Sequence, residues 1–158
     1  MSQEADDHVV VHRVAGEMLS PTSSSIAIRD FSLVSDEPVS RGGENLGPTP
    51  LELMLGGLCG GISVATARAA QLLDLSYETL SVAIEAELDA RGRLGIWPGV
   101  PLHYTVVNVT VRVGTTEAPS AVDALAQQVW STSSVVSLMR AAVPQFTITW
   151  ERAPSVPH

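Results

Sequence analysis

Few side chains in this sequence are of a type that can do chemistry, and their spacing narrows the choice. The one cysteine, Cys59, lies in an uncharged apolar run from Leu53 to Ala67. As a thiolate it would be a nucleophile or a peroxide reductant. Reactive thiols need nearby positive charge to lower their pKa, and no basic residue falls within a helical turn of it. Cys59 equally suits a small buried hydrophobe in a helix seam. Glu52 is a candidate pocket acid or base, although three residues after Thr49 it also completes a capping box. Ser133 and Ser134 offer hydroxyls that could position a ligand. A nucleophilic serine would need a base within hydrogen-bond reach, and no serine–histidine–acid spacing is visible. His103, next to Tyr104, is the first choice for proton transfer because the unperturbed imidazole pKa lies near neutrality. A surface histidine fits the same pattern. Trp97, in the loop Trp97-Pro98-Gly99, is placed to line a binding site or simply to pack. His8 and His12 would share a strand face about 13 Å apart, too far for one metal. With no Gly-rich phosphate loop, HExxH or CxxC, the sequence calls for no metal and no cofactor.

Composition sets the outer bounds. The chain has 158 residues, 45% hydrophobic and 16% charged, which suits one globular domain over 1–158 with loose tails at 1–7 and 153–158. Its net charge is −8, with nine arginines and no lysine, which argues against a nucleic-acid or anionic-membrane surface. One cysteine excludes an intrachain disulfide and fits a reducing compartment. The first residues are acidic and polar with no apolar signal core, so a cytoplasmic location is expected. The run from Leu53 to Ala67 is short for a bilayer span and reads as a buried core helix.

Local patterns then give the elements. His8 to Val14 and Ser25 to Val34 read as strands, with Ser20-Pro21-Thr22-Ser23 turning between them. Asp36 to Pro48 is a loop. Thr49 as N-cap, Pro50 at the first helical position and Glu52 three after the cap start a helix that runs to about Leu73. Gly56, Gly57, Gly60 and Gly61 each cost that helix about 1 kcal/mol relative to alanine, so it needs a close packing partner. Leu80 to Asp89 alternates as a half-buried strand. Arg91 to Pro101 is a loop, Tyr104 to Val113 a strand, Ala121 to about Ala142 a second helix, and Phe146 to Trp150 a last strand. The order is β-β-α-β-β-α-β, an α+β fold.

Three segments together resemble the OsmC/Ohr family of thiol peroxidases. Gly47-Pro48-Thr49-Pro50-Leu51-Glu52-Leu53 ahead of a small-residue helix is similar to the start of that family's central helix. Leu88 to Gly95 followed by Pro98-Gly99-Val100-Pro101 is similar to a mid-chain hairpin of one subgroup. Ser134-Val135-Val136 before Pro144 is similar to the region of the family's second cysteine. The resemblance implies an intertwined homodimer in which two central helices pack beneath sheets from both subunits. It also implies an interface pocket where two cysteines meet, with an arginine and a glutamate nearby. Carried onto this sequence, the first cysteine position is Gly61 and the second is Ser134, or Ser133 one register off. Cys59 lies two residues before Gly61, about 200° around the helix. The glutamate would be Glu52, one residue later than in the classical branches. Arg29 and Arg41 are candidates for the arginine by region.

Three functions remain open on these grounds. In the first, the dimer keeps its interface pocket without thiol chemistry and binds, or transforms by acid–base or positional catalysis, a small apolar or amphipathic molecule. Gly61, Ser133, Ser134, Trp97, Tyr104 and Cys59 would line the pocket, with His103, Ser134 and Glu52 available for chemistry. Replacing cysteine by glycine or serine removes volume, so this pocket should be roomier than in the relatives. In the second, Cys59 acts as a peroxidase nucleophile with an external reductant. In the third, the dimer is a non-catalytic binding or scaffold protein.

Overall fold

The computed structural model describes residues 8–154, apart from the side chain at position 93. Of the tails expected at 1–7 and 153–158, residues 1–7 and 155–158 lie outside the described residues. The chain divides into two compact units, one ending at Met54 and one beginning at Leu55.

The first unit is a three-stranded antiparallel meander of β1 (Ala15–Met18), β2 (Ser24–Ile28) and β3 (Phe31–Ser35). The predicted turn at Ser20–Ser23 joins β1 to β2. Ser20 Oγ accepts from the N–H groups of Thr22 at 3.2 Å and Ser23 at 3.1 Å. Two expectations are corrected here. The stretch from His8 to Val14 is not a strand. Its alternation satisfies β propensity, but a strand needs a hydrogen-bonded neighbour, and Val9, Val10, Val11 and Val14 remain exposed. The segment from Ser25 to Val34 is a hairpin instead of one strand. A two-residue turn at Arg29-Asp30 reverses the chain, with Ile28 paired to Phe31 and Arg29 at φ 55°. Glycine or asparagine would have announced that turn; arginine hides it.

The loop after β3 is organised by Asp36, which is buried. Its carboxylate accepts from the N–H groups of Glu37 at 2.8 Å, Glu44 at 3.0 Å and Leu46 at 3.1 Å. Burial pushes the Asp36 pKa up, but these bonds and one from the Thr22 hydroxyl outweigh it, so the group stays below the ordinary carboxylate value. A single 3-10 turn, Val39–Arg41, lies within the loop.

Helix α1 (Pro50–Leu73) begins where the capping signals predict and ends at the expected Leu73. The Thr49 N–H donates to Glu52 Oε2 at 2.7 Å and the Glu52 N–H to Thr49 Oγ1 at 3.4 Å, closing the capping box. Two of the first unbonded donors of the helix are thereby satisfied. Within the second unit, α1 buries Leu58, Ile62, Thr66, Ala69 and Ala70.

That unit also holds a sheet of β4 (Thr79–Glu87), β5 (Val106–Gly114) and β6 (Gln145–Ala153). β4 and β5 run antiparallel and are joined through a short helix α2 (Ala90–Arg93) and a loop. β5 and β6 run parallel, which requires a crossover. Helices α3 (Pro119–Thr132) and α4 (Ser134–Ala142) supply it. The register sets Leu80, Val82, Ile84 and Ala86 beside Val113, Val111, Val109 and Val107, and these beside Phe146, Ile148 and Trp150 on one face. The four β5 valines are at most 1% exposed, each worth roughly 1.5–3 kcal/mol of burial. On the other face Arg112 pairs with Glu151 at 2.7 Å and Thr147 donates to Asn108 Oδ1 at 2.7 Å.

The single helix expected over 121–142 is in fact two. Ser133 breaks it at φ −80° and ψ 117°. β6 also extends past the expected end at Trp150 to Ala153, which therefore is not tail.

Candidate functional site

Thr49, Glu52 and Arg41 lie together in the first unit. The Thr49 N–H and hydroxyl both donate to Glu52 Oε2, at 2.7 Å and 2.9 Å. Those two bonds lower the Glu52 pKa; partial desolvation opposes them and the charge of Arg41 adds to them. Arg41 is itself held by an ion pair with Glu37. Of the two arginines named by region, Arg41 is thus the one coupled to Glu52. A carboxylate held ionised in this way is a poor general acid at neutral pH, and its Oε2 is already engaged in the helix cap.

Further along α1, Cys59 and Gly61 face different neighbours, as their 200° offset requires. Cys59 is half-buried, and its thiol donates to the Val82 carbonyl on β4 at 3.8 Å. Gly61 faces α4 instead. A Cβ built on Gly61 would overlap the side chain of Val135, the residue next to Ser134. The two regions singled out by the resemblance therefore do meet. What fills the meeting point is a valine, and no sequence signal other than adjacency to Ser134 could have found it. The expected extra volume at Gly61 is not free within the chain, because Val135 takes it.

The two serines behave differently. Ser133 is buried, and its Oγ accepts from the Val136 N–H at 3.5 Å as N-cap of α4. Its hydroxyl is committed to the backbone. Ser134 is exposed as the first residue of α4. His103 is exposed, and its Nδ1 lies 2.8 Å from the Tyr104 carbonyl. A carbonyl only accepts, so Nδ1 carries the proton and a neutral ring presents Nε2 as its free base. Tyr104 is buried. Trp97 is exposed, with the Arg91 guanidinium 5.7 Å from its ring centroid. Arg91 in turn forks onto Asp89, at 2.6 Å for the closer bond. Hydrogen bonds from the Arg91 side chain and then its N–H bring the Asp89 pKa down to about 2. Among the described residues, no hydrogen bond joins His103 to Ser133 or Ser134. No group of three histidines, cysteines or carboxylates able to hold a metal occurs among them either.

The Trp130 ring of α3 stacks on Phe146 of β6 with centroids 6.2 Å apart, and the Arg140 guanidinium of α4 caps it at 4.2 Å. Trp130 thus serves packing between α3 and β6.

The fold is that of known proteins. A model of the OsmC-like protein family matches residues 42–148. The OsmC like protein from Mycoplasma pneumoniae is 12% identical, with a TM-score of 0.76 over 93% of this chain and 99% of that one. An organic hydroperoxide resistance protein OsmC from Legionella pneumophila is 17% identical, with a TM-score of 0.65 over 90% and 98%. An organic hydroperoxide resistance protein from Elizabethkingia anophelis, solved with thiocyanate bound, is 10% identical, with a TM-score of 0.71 over 93% and 99%. No curated protein matches the chain. Identities this low speak to the fold, and the family model speaks to descent: the chain belongs to the OsmC-like protein family.

Proposed function

We propose that this protein is a non-redox member of its family: a homodimer whose interface pocket binds a small apolar or amphipathic molecule. The observation that carries the non-redox part of the reading is the surroundings of Gly61. If the family's nucleophile stood at this position, its thiol is here replaced by hydrogen and the space beyond it by the hydrocarbon of Val135. Peroxide reduction needs a thiolate to attack oxygen and a thiol or external reductant to resolve the sulfenic acid. Cys59, turned toward the Val82 carbonyl, offers neither a second thiol nor a basic hydrogen-bond partner among the described residues.

The dimer is supported by the other side of α1. Gly56, Gly57 and Gly60 have nothing within 4 Å of their Cβ positions, and Met54, Val64 and Leu72 are exposed beside them. Only 28% of the most apolar window of this helix is buried. By length and composition alone the helix could cross a membrane. A bare glycine face on a helix that also buries Leu58 and Ile62 in a protein core suits a second copy better. Since Val135 closes the chain's own space at Gly61, the pocket would be shaped by the partner's surface together with Ser134, Trp97 and Tyr104. Any chemistry there would rest on His103 Nε2, Ser134 or Glu52, as proton carriers or positioning groups.

The filling of Gly61 by Val135 also favours a second reading, a dimeric scaffold with no ligand. Native mass spectrometry of the purified protein separates the two. A dimer carrying a defined extra mass that is lost on collisional activation supports the binding reading. A dimer at bare sequence mass, unchanged after incubation with a panel of small apolar acids and alcohols, supports the scaffold.

A further inference from the structure

The first unit holds a cavity of about 260 Å³ lined by Val11, His12, Arg13, Ile28 and Arg29. It shares no residue with the site around Gly61. Every polar side chain in its lining is basic or able to become so, in a chain whose net charge is −8. Such a concentration runs against the chain's average, and no carboxylate among the described residues is ion-paired with it. The ion pairs among the described residues use Arg41, Arg91 and Arg112, leaving Arg13 and Arg29 without a carboxylate there. Arg29 is also held in place. Its φ of 55° is in the left-handed region, where a non-glycine residue is uncommon and costs energy. Its guanidinium lies 5.1 Å from the Phe31 ring centroid, which fixes the direction of the side chain. The hairpin would turn more easily with glycine at this position, so an arginine here has a use beyond the turn.

We propose that this cavity binds a small organic carboxylate, with Arg13 and Arg29 on the carboxylate and Val11 and Ile28 against its apolar body. Guanidinium forks match carboxylate geometry and give charge-assisted hydrogen bonds. The cavity is slightly smaller than the usual range, which begins at about 300 Å³, so the ligand is short. His12 supplies a third donor.

The test is calorimetric titration of the full-length protein with sodium octanoate at low ionic strength, with octan-1-ol as the uncharged control. Saturable octanoate binding is expected, about tenfold weaker in Arg13→Gln and in Arg29→Gly, as the loss of one charge-assisted pair implies. Arg29→Gly is chosen because glycine adopts positive φ without strain, so its melting temperature should match or exceed that of the unaltered chain. Absence of saturable binding would overturn the proposal, as would equal affinity in both variants or octan-1-ol binding as tightly as octanoate. Binding seen only after neutralising the nearby acidic sequence (Glu4→Gln, Asp6→Asn, Asp7→Asn) would also overturn it, by showing that the chain's own carboxylates take the place of the ligand.

Discussion

Gly61 and Val135 are a pair in which one residue's missing side chain is the other's space. Putting volume back should therefore be costly. Gly61→Cys is expected to destabilise the protein by about 1–3 kcal/mol, the usual penalty for overpacking. Val135→Ala in the same chain should recover most of that loss. Urea denaturation of the two single variants and the double variant measures the coupling; additive effects would mean that the two side chains do not compete. Glu52 makes a prediction about pH. Its folded pKa lies below the ordinary glutamate value of 4.5. The stabilisation from its ionised form is thus fully present above that value and is lost as pH falls through the lower, folded pKa. The stability gap between the unaltered protein and Glu52→Gln should be constant from pH 7 to about 5 and close toward pH 3. A gap that persists at pH 3 would place the role of Glu52 in packing. At this scale the sequence was informative about Thr49 and Glu52, whose spacing is a local rule, whereas it offered Arg41 only by region beside Arg29 and gave Val135 no role of its own. Those two matter only through contacts made by folding.

Helix α1 shows what local rules can determine. Its cap, its proline at the first position and its first-turn glutamate gave both the start and the role of each residue, and the fold agrees from Pro50 to Leu73. The α3–α4 break shows the opposite. Periodicity runs on through it, and the run Ser131-Thr132-Ser133-Ser134 was the only warning that a cap residue could end one helix and start the next. The Arg29-Asp30 hairpin was missed because its turn has no glycine or asparagine, and the stretch from His8 to Val14 because alternation says nothing about a pairing partner. The Ser133 cap can be tested directly. Ser133→Ala should cost about 1 kcal/mol, the usual value of a helix N-cap, while Ser133→Asp, which keeps an acceptor at the cap, should lose little. Thermal melts of both variants decide whether the hydroxyl is structural; equal losses would point to packing of this buried position instead.

For the molecule as a whole, the fold and family were legible because several ordered segments carried them, whereas the proposed loss of thiol chemistry rests on position 61 and on 134 or 133, where the resemblance would place cysteines. Assembly can be probed on the exposed side of α1. In the single chain nothing opposes a side chain at Gly57 or Gly60, so Gly→Ala there should stabilise an isolated helix by up to about 1 kcal/mol. If a second copy packs on this face, Gly57→Leu and Gly60→Leu should instead shift sedimentation from dimer to monomer at micromolar concentration. A monomer in the unaltered protein would contradict the dimer. The loss of thiol chemistry is the central claim, and one assay addresses it most directly: steady-state reduction of cumene hydroperoxide by the purified protein with excess dithiol. The non-redox reading predicts a rate no greater than that of the dithiol alone, unchanged by Cys59→Ser. Catalytic turnover that disappears in Cys59→Ser would contradict it and make the lone cysteine a peroxidase nucleophile.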